Sequence, residues 1–206
     1  MTANQITYTE GAGAVLDAYS RTYGAGEQKV QKVITVHTDA PTYSIALCGI
    51  GIGTSTDHLL QLMNGASGVM IVTRVHVAQF ALAGADAAWG FDLFRLTSAG
   101  TGGSSVATSG ANPVLVANDP GDSAFSGAAK YAVTSSKGTE GDQIARRRLT
   151  IKTAQPTSYV EWTPAPGSKG IVVPAGTSNG IAVKNVTSVA TATVDIMVTF
   201  TVVAVR

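Results

Sequence analysis

Apolar and polar residues alternate most regularly between residues 170 and 203. Because successive side chains of a strand point to opposite faces, this pattern predicts two long β-strands, the first introduced by an Asn179-Gly180 turn. The second strand has an apolar face and a Thr-rich face, and the Thr-rich face suits weak burial or a subunit contact. The apolar face holds Val194, Ile196, Val198, Phe200 and Val202, and the opposite face holds Asp195, Met197, Thr199, Thr201 and Val203.

Further apolar-rich segments, separated by Gly- and Pro-containing stretches, predict additional strands. About eight to ten strands with almost no helical period indicate an all-β fold, a two-sheet β-sandwich of jelly-roll-like topology. The additional strands are expected at residues 30–35, 43–50, 58–63, 69–80, 87–96 and 148–153. In the strand at 69–80 we expect Ile71, Thr73, Val75 and Val77 on the core face and Arg74, His76 and Ala78 on the solvent face.

The first 28 residues carry neither a strand period nor a helical period, and they are predicted to form an extended N-terminal arm before a β-sandwich domain at residues 29–206. The arm is either a tail that lies on a neighbouring subunit, anchored by its tyrosines, or a disordered terminus. Two Gly/Ser-rich segments, 98–122 and 135–143, are predicted to be long loops that meet neighbouring molecules.

Composition narrows the class of protein. Charged residues make up only 13% of the 206-residue chain and the net charge is +1, so the surface must be mostly small, neutral and polar. Such a surface is poorly protected from association, which favours a component of an assembly. Arg146, Arg147 and Arg148 form the one basic run, and it lacks the interleaved aromatics of a nucleic-acid surface. The run either contacts an acidic partner surface or begins a solvated strand.

Cys48 is the single cysteine of the chain, so we expect neither a disulfide framework nor a Cys-rich zinc site. Its place in an apolar run predicts a small buried thiol. The sequence contains no charged segment followed by a signal-type apolar core, and no apolar run of the roughly 18 residues that span a bilayer. We therefore expect a protein that folds in a reducing cytoplasm, without a membrane partner.

Motifs that would support catalysis, a cofactor or a metal are weak. His37, His58 and His76 are too far apart to form a recognisable metal-binding motif. The glycines at 100–103 are not followed by the Lys-Ser/Thr of a phosphate-binding loop, and no serine lies in a Gly-x-Ser-x-Gly elbow.

A glycosidase would need two opposed carboxylates, for which Asp92 and Glu161 are the candidates. The simpler interpretation of Glu161 is that it belongs to a strand edge at which Trp162 packs on Pro164 and Pro166. Asn185 begins an Asn-Val-Thr glycosylation sequence that we interpret as chance.

Several segments together resemble structural proteins of tailed-bacteriophage virions, in particular small capsid decoration or cement proteins with a β-sandwich body. The resemblance covers the chain from about residue 26 to its end, and the run at 174–183 with the strand after it carries it most strongly. The segments are Gly-Glu-Gln-Lys-Val-Gln-Lys-Val at 26–33, Asp-His-Leu-Leu-Gln-Leu-Met at 57–63, residues 91–105 with Phe94-Arg95-Leu96-Thr97, residues 174–183, and Thr-Val-Asp-Ile-Met-Val-Thr-Phe at 193–200.

The resemblance implies a non-enzymatic protein without a cofactor, made in the host cytoplasm and located on the exterior of the virion capsid. Many copies, as homotrimers, would bridge neighbouring major capsid subunits. The alternative is a tail, collar or head-fibre module that binds a host receptor, which predicts a cluster of exposed aromatic side chains. Neither nucleic acid nor membrane is an expected partner. The candidate partner-contact residues are Tyr8, Tyr19, Tyr23, Gln28, Arg146, Arg147 and Arg148.

Overall fold

The computed structural model describes residues 40–154 and 158–204. The strands described below lie within the unit Pro41–Arg206. The predicted arm at residues 1–28 and the predicted strand at 30–35 lie outside the described residues.

Every regular element of the described residues is a β-strand, which confirms the predicted all-β class. The strands form two six-stranded antiparallel sheets that pack face to face. The strands are β1 (Thr42–Gly51), β2 (His58–Met63), β3 (Val69–Ala81), β4 (Ala87–Leu96), β5 (Ser104–Ser105), β6 (Val114–Ala117), β7 (Ala128–Val133), β8 (Glu140–Ile151), β9 (Tyr159–Trp162), β10 (Ile171–Val173), β11 (Gly180–Asn185) and β12 (Thr193–Val203).

The pairing of the strands is nested. The first sheet has the order β10-β3-β12-β1-β6, with β9 also paired to β3, and the second sheet has the order β5-β7-β2-β11-β4-β8. Strand β1 therefore pairs with β12, β2 with β11, β3 with β9 and β10, and β4 with β8. A hairpin folded over on itself in this way is a jelly roll, as the strand pattern predicts.

Aromatic and branched side chains from the two inner faces fill the space between the sheets. Tyr43, Phe125 and Phe200 form a ring cluster with centroids 4.9 to 5.4 Å apart. Trp89 and Phe91 are fully buried at the other side of the core. Each such side chain contributes about 1.5 to 3 kcal/mol by leaving water, so this layer is the main source of stability.

Strand β12 follows the predicted alternation. Its predicted apolar face lies in the core from Val194 to Phe200, and its Thr-rich face lies outward. In the centre of the first sheet, β12 pairs with β1 on one side and β3 on the other.

The predicted faces of β3 are correct only in part. Val75 and Val77 are buried as expected. Nearer the start of β3, however, the buried residues are Met70 and Val72, whereas Ile71 and Thr73 are only partly buried. The register against β12 shifts between Val72 and Arg74, so one extra residue interrupts the alternation. A β-bulge of this kind exchanges the two faces of a strand.

The two predicted loops are more ordered than expected. Segment 98–122 contains β5 and β6, which extend the second and first sheets respectively. Segment 135–143 is a loop only as far as residue 139, because β8 begins at Glu140 and pairs along β4. Most side chains of this edge strand are polar and exposed, so its sequence shows no clear apolar alternation. The predicted strand at 148–153 therefore overlaps only the last part of β8.

Candidate interaction surface

Large apolar side chains are exposed on the outside of the first sheet. Tyr159 of β9 is 66% exposed, Phe80 of β3 is 52% exposed and Met197 of β12 is 42% exposed. Val116 of β6 is exposed on the same sheet, and Leu82 is exposed just after the end of β3. These are the exposed large hydrophobic residues of the described chain, and all of them belong to or directly follow strands of one sheet.

Strand register places small neutral residues between these apolar side chains. Met197 lies between Ala46 of β1 and His76 of β3. Ser44 lies between Thr199 of β12 and Val116 of β6. We call this surface the first-sheet outer face; it comprises the outward side chains of β9, β3, β12, β1 and β6.

Three charged groups of the first-sheet outer face, Arg74, Glu161 and Asp195, have polar partners within the face. Arg74 Nε donates a hydrogen bond to Glu161 Oε2 at 2.6 Å, and His76 Nδ1 lies 3.4 Å from the same oxygen. The Arg74 guanidinium lowers the pKa of Glu161, which keeps that group a carboxylate. Asp195 accepts a hydrogen bond from the Gly49 backbone N–H at 2.9 Å. The face thus offers a partner an apolar area that contains one ion pair and one hydrogen-bonded carboxylate.

Cys48 lies on this face, and the prediction of a buried thiol is wrong. The side chains of Ile45 and Leu47 point into the core, so strict alternation turns Cys48 outward, where it is exposed. The hydrogen bond from its thiol to Asp195 raises the pKa of Cys48. The apolar run around it reflects a strand with a neutral outer face, not burial on both sides.

The predicted basic run does not form one patch, because consecutive residues of β8 face opposite ways. Arg146 makes a bidentate pair with Asp92, through Nε at 2.7 Å and Nη2 at 2.6 Å. Arg147 turns toward the edge of the sandwich, and its Nε donates to the Glu161 carbonyl at 3.4 Å. Arg148 is exposed and packs over Gly90. The other predicted contact residues, Tyr8, Tyr19, Tyr23 and Gln28, lie outside the described residues.

The candidate catalytic carboxylates, Asp92 and Glu161, each pair with an arginine, Arg146 and Arg74 respectively. Within residues 40–154 and 158–204, no group of three or more His, Cys, Asp or Glu side chains is placed to hold a metal ion. The same residues contain no helix long and apolar enough to cross a bilayer.

A buried polar cluster on the outside of the second sheet is absent from the sequence prediction. His58 Nε2 contacts Glu140 Oε1 at 2.8 Å, and its Nδ1 lies 2.7 Å from Gln61 Nε2. Lys184 Nζ donates to the second oxygen of Glu140 at 2.8 Å. We call His58, Gln61, Glu140 and Lys184 the His58 network. The sequence does contain one indication of this network: His58 and Gln61 are the two polar residues of a strand otherwise composed of Leu and Met.

Two loops, residues 97–101 and 135–139, cover this network, and we call them the covering loops. They hydrogen-bond to each other, since Thr101 N donates to Ser136 O at 2.9 Å and Thr97 N donates to Thr139 O at 3.0 Å. Gln61 joins both to the sheet: its Nε2 donates to Lys137 O at 2.6 Å, and its Oε1 accepts from Gly100 N at 3.0 Å.

Comparison with protein-family models, with curated proteins and with solved structures finds no match to this chain.

Proposed function

We propose that this protein is a non-enzymatic virion component, a decoration or cement protein that binds the outside of a tailed-bacteriophage head and bridges neighbouring major capsid subunits. The observation that carries the proposal is the first-sheet outer face, with its exposed Phe80, Tyr159 and Met197 and its Arg74–Glu161 ion pair. Monomeric proteins rarely keep an extended exposed apolar surface, so such a surface points to a partner.

The size of the face indicates how it would act. The five strands have 4, 13, 11, 10 and 4 residues, and with a rise of about 3.3 Å per residue and a spacing of about 4.8 Å they give an area on the order of 650 Å². A stable interface commonly buries about 800 Å² on each partner, so one face provides a modest contact. Modest contacts become strong when several are linked, because each later contact forms at a high effective concentration. The proposed homotrimer of such sandwiches would meet that requirement.

Binding to capsids that lack the protein tests this proposal. The full chain is compared with a chain starting at Lys29, with Met197→Lys, and with the matched control Thr150→Lys, which places the same charge on an exposed position of β8. We expect the full chain and Thr150→Lys to fill regular lattice sites in sedimentation and cryo-imaging. Met197→Lys should bind at least about tenfold more weakly, because a lysine in the face must lose its water on contact.

A tail, collar or head-fibre module that binds a host receptor is the second candidate. It is favoured by two exposed aromatic residues that flank Ala78: Tyr159 lies directly opposite Ala78, and Phe80 lies two residues further along β3. The Tyr159 ring also stacks on His76, with centroids 5.4 Å apart. Binding of the protein to tail parts or host cells, with no binding to heads, replaces the cement proposal by this one.

A further inference from the structure

The hydrogen bonds of Gln61 fix the protonation state of His58. A backbone N–H can only donate and a carbonyl can only accept, so Gly100 N and Lys137 O determine which end of the Gln61 amide is oxygen. The NH₂ end then faces His58 Nδ1 at 2.7 Å, and that nitrogen must be the acceptor. His58 is therefore neutral with its proton on Nε2, which donates to Glu140.

A proton on His58 Nδ1 would face the NH₂ group of Gln61, and two donors cannot bond to each other. Turning the amide over does not solve the conflict. It would place Gln61 Oε1 against the Lys137 carbonyl and the NH₂ group against the Gly100 N–H. Protonation therefore breaks the hydrogen bond between His58 and Gln61 and sets an imidazolium N–H against the amide that holds the covering loops.

The charges around the imidazole come from several elements. Glu140 of β8 favours the protonated ring, but Lys184 of β11 already pairs with it. Lys137 of a covering loop pairs with Asp57 at 3.2 Å. Lys130 of β7 donates to the Gly100 carbonyl at 2.9 Å. Burial is the largest influence and lowers the pKa of His58, with Glu140 opposing it and the lysines Lys184 and Lys137 reinforcing it.

We propose that His58 and Gln61 form a pH-sensitive lock, in which protonation of His58 releases the covering loops from the outer face of the second sheet. This inference is independent of the proposed function. Its basis is that one buried amide hydrogen-bonds to both covering loops and to a single titrating ring. Released loops uncover the sheet around Gln61, which is 1% exposed in the locked state, so a second surface becomes available only in acid.

The test combines imidazole NMR with hydrogen exchange at about pH 5 and about pH 8, which bracket the usual histidine titration. In the unmodified protein at the higher pH, ¹⁵N shifts should report the Nε2–H tautomer of His58. In acid, amide exchange at residues 97–101 and 135–139, corrected for intrinsic rates, should accelerate at least about tenfold relative to β3 and β12.

The variant His58→Gln keeps an acceptor and a donor without a titrating ring, so its covering loops should stay protected in acid. The control His76→Asn, on the other sheet, should keep the acid response. The proposal is overturned by an Nδ1–H tautomer at the higher pH, by loops whose corrected exchange does not change with pH, or by an acid response that persists in His58→Gln. Because the first two measurements use the unmodified protein, they do not depend on the folding of a variant.

Discussion

Asn185 accepts a hydrogen bond from Trp89 Nε1 at 2.7 Å, and both side chains are fully buried. The Asn185 amide also donates to the Ile52 and Thr54 carbonyls, at 3.1 and 2.6 Å. One amide thus joins β11, β4 and the segment after β1. The same contacts give a physical reason why the Asn-Val-Thr sequence is no glycan acceptor in the folded protein: its asparagine has no access to solvent.

Replacing Asn185 by alanine should lower the free energy of unfolding by about 3 kcal/mol, because it leaves the buried indole N–H of Trp89 and the Thr54 carbonyl without partners and removes one of the two hydrogen bonds to the Ile52 carbonyl. Urea unfolding measures the loss. The control Asn118→Ala removes an exposed amide whose oxygen accepts from the Ser44 hydroxyl, and it should cost about 0.5 kcal/mol or less. Equal losses in the two variants would contradict the role given to Asn185.

The pair formed by Arg146 and Asp92 is asymmetric, since the Arg146 side chain is 50% exposed and that of Asp92 is 5% exposed. Arg146→Ala leaves a buried carboxylate without its partner and should destabilise the protein clearly more than Asp92→Asn, which leaves an arginine that water can solvate. In the double variant most of the Arg146→Ala loss should disappear. A double-mutant cycle by urea unfolding gives the coupling, and additive losses would rule out the pairing as the cause.

Cys48 should react slowly with iodoacetamide at neutral pH although it is exposed. Its hydrogen bond to Asp195 raises the pKa above the ordinary value of 9.0, and only the thiolate is alkylated. Asp195→Asn removes the charge, so the inflection of the rate against pH should move down. Mass spectrometry measures the rate. Because Cys48 lies on the first-sheet outer face, its alkylation also reports whether an assembly covers that face; an unchanged profile in Asp195→Asn would exclude the proposed cause.

Stability should fall in mild acid. The pKa of His58 is lowered in the folded state below its ordinary value of 6.5, so the unfolded chain binds more protons in the window below that value. The stabilisation is therefore complete above about pH 7 and declines as the pH falls through 6.5 toward the folded-state pKa. Thermal unfolding across this range should show the decline in the unmodified protein and a smaller one in His58→Gln. An equal decline in both would assign the effect to another group.

Sequence patterns predict the strands correctly where a single local period decides the outcome. In β12 the alternation runs without interruption and the predicted faces are the observed ones. In β3 the bulge at Thr73 exchanges the faces, and it is defined only by the register against a strand more than a hundred residues away. The apolar and polar pattern of β3 alone does not show this shift in register, and the predicted face of Ile71 is therefore wrong.

The candidate surfaces are less accessible to sequence reasoning. The low charge of the chain and the Thr-rich pattern point to the outer face of β12, but the prediction for Cys48 fails because an apolar run does not require burial on both sides of a strand. The His58 network has no local signature, since Gln61 meets Gly100 and Lys137 at separations of 39 and 76 residues. Only the folded sandwich brings these groups together.

The nested pairing of β1 with β12 also affects how the chain is made. Thr42 lies opposite Thr201, so the middle of the first sheet joins the first and final strands of the described domain. During translation, the strands made before β12 have no central partner, and their apolar inner faces remain in an incomplete sheet. A product that stops short of β12 lacks the strand between β1 and β3. The fold thereby closes its core only when β12 is present.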